Sequence, residues 1–217
     1  MTFGTLKTTI IQHLNRDDLT LVIPQWINWA MRRIERQHNL RYMLSSSTSG
    51  VSSGAKEMTE PTRTKDIVGI YIADSGDDNY KMMEHVERER IEGQRDLANG
   101  KAEQWARYGV NIEYDRTLNA TYPQRIVYFA YTADMTADSD EDWLATNASD
   151  VLVFGALAYS APVSEGDPRL AVWAGFYKDA LNSLIKSQSI EDLDTFHMEL
   201  EVTDIMRRRY DYNVQDN

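Results

Sequence analysis

Apolar positions at the start of the chain recur in helical steps. Phe3, Leu6, Ile10, Ile11 and Leu14 fall three or four residues apart and predict one apolar helix face. Asn15-Arg16-Asp17-Asp18 breaks the pattern, and Asp17, Asp18 or Thr20 is placed to cap a second helix, with Pro24 near its first turn. Along that helix Ile23, Trp26, Ile27, Ala30, Ile34 and Leu40 form the stripe, while Arg32, Arg33 and Arg36 fall off it. The spacing thus predicts a helical hairpin over residues 1–43.

From Leu44 the texture changes. Ser45 to Gly50 and Ser52-Ser53-Gly54 are poor in helix formers, and Pro61 excludes a helix around it. Ile67, Val68, Ile70, Tyr71 and Ile72 predict a strand. Asp74 to Asn79 reads as a turn and Tyr80, Met82 and Met83 as the returning strand. Glu84 to Ala98 is helical in propensity with little amphipathic signal, whereas Trp105–Glu113 and Arg125–Tyr131 read as strands. Residues 44–132 are therefore expected to form a small β-rich domain inserted between helices.

After the acidic loop Asp138 to Asp142, Ser149 or Asp150 is placed to cap a helix from Val151 to about Ala161 that is apolar almost all round. Such a helix needs cover on both sides, from its own chain or another copy. Pro162 stops it. Asp167-Pro168 then reads as an N-cap and first helical position, followed by a face of Leu170, Trp173, Ala174, Tyr177, Leu181 and Leu184. Trp143 and Trp173 are expected in the core. Residues 133–187 complete the bundle, and 188–217, polar with apolar points at Phe196, Leu200, Ile205 and Met206, read as a C-terminal arm that docks to a partner. The expected fold class is α+β, mainly α: an antiparallel helical bundle with an inserted small β-rich domain and an extended C-terminal arm.

Composition narrows the function. The 217 residues are 42% hydrophobic and 26% charged, a globular balance. The longest uncharged apolar stretch, Val151 to Val163, falls well short of the ~20 residues that span a bilayer. The opening residues predict no signal peptide. With no cysteine there is neither a disulfide framework nor a thiolate metal site. The net charge of −11 disfavours wrapping nucleic acid, which is driven by counterion release to Lys and Arg. Charge is also unevenly placed. Arg32, Arg33, Arg36 and Arg41 cluster early, nine acids against three bases lie between Thr132 and Lys186, and Arg207, Arg208 and Arg209 form a basic knot near the end. Separated patches of opposite sign suit head-to-tail contacts between copies. Arg32, Arg33, Arg36, Asp140 and Asp142, with Phe154 of the apolar helix, are the candidate inter-subunit residues.

Catalytic chemistry finds little support. The sequence has no phosphate-binding glycine loop, no His-Glu-x-x-His and no Gly-x-Ser-x-Gly. His13, His38, His85 and His197 lack metal-ligand spacing, and Asp74 to Asn79 departs from a calcium loop because Gly76 stands third and no twelfth-position Glu follows. Glu57 with Glu60, or Asp140 with Asp142, are the pairs available to an acid–base enzyme, but neither sits with a nucleophile or glycine frame. No catalytic, cofactor or metal site is expected.

The order of these segments resembles the head-to-tail adaptor, or head completion, proteins of short-tailed bacteriophages. The likeness is carried by Asp142-Trp143-Leu144, Asn147, Asp150-Val151-Leu152, Phe154 to Leu157, Ala161-Pro162, Asp167 to Trp173, Tyr177 and Leu181. At the N-terminus it rests on Asn15 to Leu19, Pro24 to Ile27 and Ala30 to Ile34. The resemblance implies a non-enzymatic virion protein made in the host cytoplasm and residing at the head–tail interface, with no cofactor. It implies a ring, usually of twelve copies, beneath the portal protein, extending the DNA channel and supporting tail nozzle or fibre proteins, while genomic DNA passes without specific binding. It further implies that the arm reaches the portal, with Ile205, Arg207, Arg208, Arg209, Tyr210 and Tyr212 as the docking residues. A stopper or tail-completion ring is the nearest alternative. A regulatory protein that binds DNA through Arg32, Arg33, Arg36 and Arg41 is a more distant one.

Overall fold

A computed structural model describes residues 1–77, 79–94, 97–164 and 166–187. The chain divides into two compact units: Tyr42–Ala133 forms one, and the residues on either side of it form the other.

In the helical unit, α1 (Phe3–Leu14) buries Phe3, Leu6, Ile10 and Leu14, the face its spacing predicts. Thr2 caps it by accepting from the Thr5 amide, and Asn15 ends it in the left-handed region. Asp17–Leu19 is a 3₁₀ turn, and Val22 precedes α2 (Ile23–Gln37) without a side-chain cap, so none of the expected caps serves it. Pro24 stands in the first turn, as expected. The buried stripe of α2 holds Ile23, Trp26, Ile27, Ala30, Met31, Ile34 and the carboxylate-bearing Glu35. A short helix that spacing did not predict, α4 (Trp143–Asn147), is capped by Asp142. Trp143 is 36% exposed and so not a core residue, whereas Trp173 is buried.

The apolar helix is α5 (Ser149–Ala158), preceded by Ala148, with Ser149 and Asp150 inside its first turn and not capping it. Its cover comes from its own chain. α1, α2 and α4 pack around it, and residues 169–187 form a further helix, α6, whose Tyr177 approaches Gly155. A Cβ added at Gly155 would stand 3.1 Å from both the Ala30 Cβ and the Tyr177 ring, which explains a glycine where helix propensity disfavours one. Asp167 accepts from the Arg169 amide at 2.9 Å and caps α6 beside Pro168. Trp173 and Leu184 are buried and Leu170, Tyr177 and Leu181 half-buried, but Ala174 lies exposed.

The β unit holds two four-stranded sheets. The first runs β1 (Leu44–Val51), β8 (Tyr122–Ala130), β3 (Thr64–Ile72), β4 (Lys81–Met82). The second runs β2 (Glu57–Thr59), β7 (Asn111–Tyr114), β6 (Gln104–Tyr108), β5 (Glu84–His85), and only its β5–β6 pair is parallel. The predicted β3–β4 hairpin is present, with Tyr71 opposite Met82. Inner-face residues of both sheets share one core, among them Val51, Ile70, Ile72 and Ile126 from the first and Trp105, Ile112 and Tyr114 from the second. Within it Tyr114 donates to the fully buried Gln124 at 2.9 Å, and burial pushes the Tyr114 hydroxyl well above its usual range despite that bond. The second sheet is covered on its other face as well, where α3 (Arg88–Gly93) sets Ile91 against Ala106.

The mainly helical bundle is thereby corrected. Among the described residues helices account for 42% and strands for 23%, a mixed α+β fold with two sheets. Three local features explain the difference. The serine-rich run at Ser45 is a full-length strand because β8 offers it eight consecutive partners. Trp105–Glu113 is two strands, since Gly109 at φ 62° opens a two-residue hairpin turn of the kind only glycine favours there. Among the described residues of Glu84–Ala98 the helical propensity is realised in the short α3, while Glu84 and His85 pair with β6 instead. Residues 188–217, read as an arm, lie outside the described residues.

Candidate assembly surfaces

One face of α2 carries Trp29, Arg32, Arg33 and Arg36 on successive turns. Arg32 is held in place. Its guanidinium donates to Glu35 and to Asp134, each at 2.8 Å. Asn28 fixes the neighbouring loop with two bonds, its amide nitrogen donating to the Met135 carbonyl and its oxygen accepting from the Met135 amide, both at 3.0 Å. Trp29 stands half-exposed with its ring edge-on to Tyr159, and a shallow groove of about 480 Å³ runs between it and Asp134–Thr136. Arg33 and Arg36 are exposed, and Arg33 lies 6.0 Å from the Tyr177 ring, whose hydroxyl burial pushes upward. Of the basic candidates, Arg33 and Arg36 thus face outward while Arg32 serves its own chain.

The acidic candidates are also tied to local structure. The Asp140 carboxylate accepts from the Thr136 and Ala137 amides at 2.7 and 2.8 Å, which holds it below the usual carboxylate range. Its carbonyl accepts from the Phe3 amide at 2.8 Å, the Asp138 carbonyl accepts from Gly4 at 3.0 Å, and Lys7 pairs with the Asp138 carboxylate. Asp142 accepts from the Leu144 amide at 2.8 Å to cap α4. This loop anchors the first turn of α1. One member of each charged stretch, Arg32 and Asp134, meets the other within the chain.

Phe154 is half-buried between His13 and Phe176, with ring centroids at 6.1 and 5.1 Å. Beside it Val172 and Phe176 of α6 are 53% and 51% exposed. Sequence reasoning missed these two, although their four-residue spacing beside the Trp173–Tyr177 stripe marks a second apolar strip. The helical unit therefore presents an apolar spot of Phe154, Val172 and Phe176 on α5 and α6. Arg169 steadies the start of α6: it pairs with Asp167, lowering that carboxylate's pKa, donates to the His13 carbonyl at 2.8 Å and lies over the Trp173 ring.

Among the described residues no group of three or more His, Asp or Glu is placed to hold a metal ion, and no helix is long and apolar enough to cross a membrane. Glu57 and Glu60 are engaged otherwise than as a catalytic pair: Asn111 donates to Glu57 and Arg107 clamps Glu60 through two nitrogens at 2.5 and 2.8 Å. The docking candidates Ile205, Arg207, Arg208, Arg209, Tyr210 and Tyr212 lie outside the described residues. A family model described as SU10 adaptor protein matches residues 1–199, and no curated protein matches the chain.

Proposed function

From the premise that the chain belongs to the SU10 adaptor protein family, a phage structural family, we propose that it works as a ring of copies, twelve by resemblance, seated beneath the portal. The ring extends the channel for the genome and carries the tail nozzle or fibres. The observation that carries this is the family match, which takes in both helical arms and the β insertion together. The charge of −11 supports it, because an acidic wall repels phosphate and lets DNA slide. Exposed Arg33 and Arg36 on α2, and the Phe154–Val172–Phe176 spot on α5 and α6, supply contacts for neighbouring copies. On this account Ile205, Arg207, Arg208, Arg209, Tyr210 and Tyr212 grip the portal, and a chain cut after Ser189 fails to dock. A cut chain that still assembled on portals would remove the arm from the mechanism.

The proposal is tested in particles made without the chain. Heads that package DNA but carry no tail, rescued by supplying the chain, are expected. Normally tailed, infectious particles without it would contradict the proposal.

A further inference from the structure

The sheet edges of the β unit are not alike. β2, β4 and β5 are two or three residues long and each carries a charge: Glu57, Lys81 and Glu84. Short, charged edges are the usual guard against pairing with another chain. β1 has no such guard. Its eight residues, Leu44-Ser-Ser-Ser-Thr-Ser-Gly-Val51, include no charge and no proline, and its register against β8 runs unbroken, whereas the β3–β8 ladder shifts twice. Among the described residues no backbone hydrogen bond reaches its outer side, so alternate residues turn unpaired N–H and C=O groups outward. The alternate positions on one sheet face, Leu44, Ser46, Thr48 and Gly50, are all exposed and mostly small.

We propose that this edge pairs antiparallel with the same edge of a second copy, joining two four-stranded sheets into one of eight. The occupant follows from the charges. Self-pairing of β2, β4 or β5 sets like charges near one another for few hydrogen bonds, whereas β1 on β1 opposes no charge and sets Ser and Thr across from Ser and Thr, which hydrogen-bond. The contact is two-fold and self-complementary. One strand edge is small beside the ~800 Å² per partner of a stable interface, so the pair fills only as concentration rises. It concerns copies outside the ring, whose contacts run head to tail, and it stands or falls apart from the adaptor role.

The full chain alone is examined by sedimentation and by hydrogen exchange across a concentration series. The mass is expected to climb from 25.0 kDa toward twice that value, while alternate amides within residues 44–51 slow in step with it. Substituting Ser46→Lys and Thr48→Lys weakens the association about tenfold by bringing lysines together across the two-fold, with an unchanged far-ultraviolet spectrum. Ser46→Glu alone repeats the test if the double variant misfolds. A chain that stays monomeric throughout, association with these amides still exchanging fast, protection already complete in the monomer, or association indifferent to the substitutions would each overturn the proposal.

Discussion

The helical and β units are built on different terms. The helical unit centres on α5, apolar on every side and enclosed by α1, α2, α4 and α6, with Gly155 left bare so that Ala30 and Tyr177 can close on it. The carboxylate buried beside it, Glu35, is met by Arg32, which also reaches Asp134, and Lys7 pairs with Asp138 at the margin. The β unit admits polar groups to its centre, where Tyr114 and Gln124 satisfy each other, and covers only its second sheet on both faces. The outer face of the first sheet leaves Leu44 48% and Met82 64% exposed. One unit is closed by packing. The other is specified by hydrogen bonds and left open along an edge, so changes in bulk should harm the first far more than the rim of the second.

The largest effect is expected at α5. Leu157 is fully buried, and Leu157→Ala should cost about 3–5 kcal/mol by leaving a cavity, read as a lowered denaturant midpoint. Gly155→Val should cost about 2–3 kcal/mol through overpacking against Ala30 and Tyr177, and a neutral result would mean that the α2–α5–α6 contact is loose. In the β core Tyr114→Phe should cost about 1–2 kcal/mol by stranding Gln124, and a cycle with Gln124→Leu should recover most of it. At the rim, Ser46→Val should change stability by no more than about 0.5 kcal/mol. The smallest effect concerns acid. Asp140 is held below its ordinary value of 3.8 by the Thr136 and Ala137 amides. Its contribution is therefore present above that value and lost as pH falls beneath it. Asp140→Asn should flatten that part of the stability–pH curve and leave the neutral range nearly unchanged in slope.

The same contrast governs how much was legible in the chain. The faces of α1 and α2 were readable because helix burial repeats every three or four residues, and Phe3, Leu6, Ile10, Ile27 and Ile34 keep that period. The Asp167-Pro168 start of α6 was readable because capping chemistry is local. β1 was not, since Ser45 to Ser49 become a strand only by pairing with Gln124–Tyr128, some eighty residues away. Helix propensity at Glu84 and His85 likewise yielded to pairing with β6. Of the candidate contact residues, spacing placed Arg33 and Arg36 outward correctly. It had no means of showing that Arg32, Asp140 and Asp142 are engaged by groups distant in sequence or on the backbone.

The adaptor role is tested most directly by native mass of this chain alone and mixed with the portal protein encoded in the same genome. The account predicts that the portal gathers the chain into a ring of about twelve copies, a closed assembly of one-way contacts, that neither component forms alone. A portal that acquires no copies of the chain at any salt concentration would contradict it.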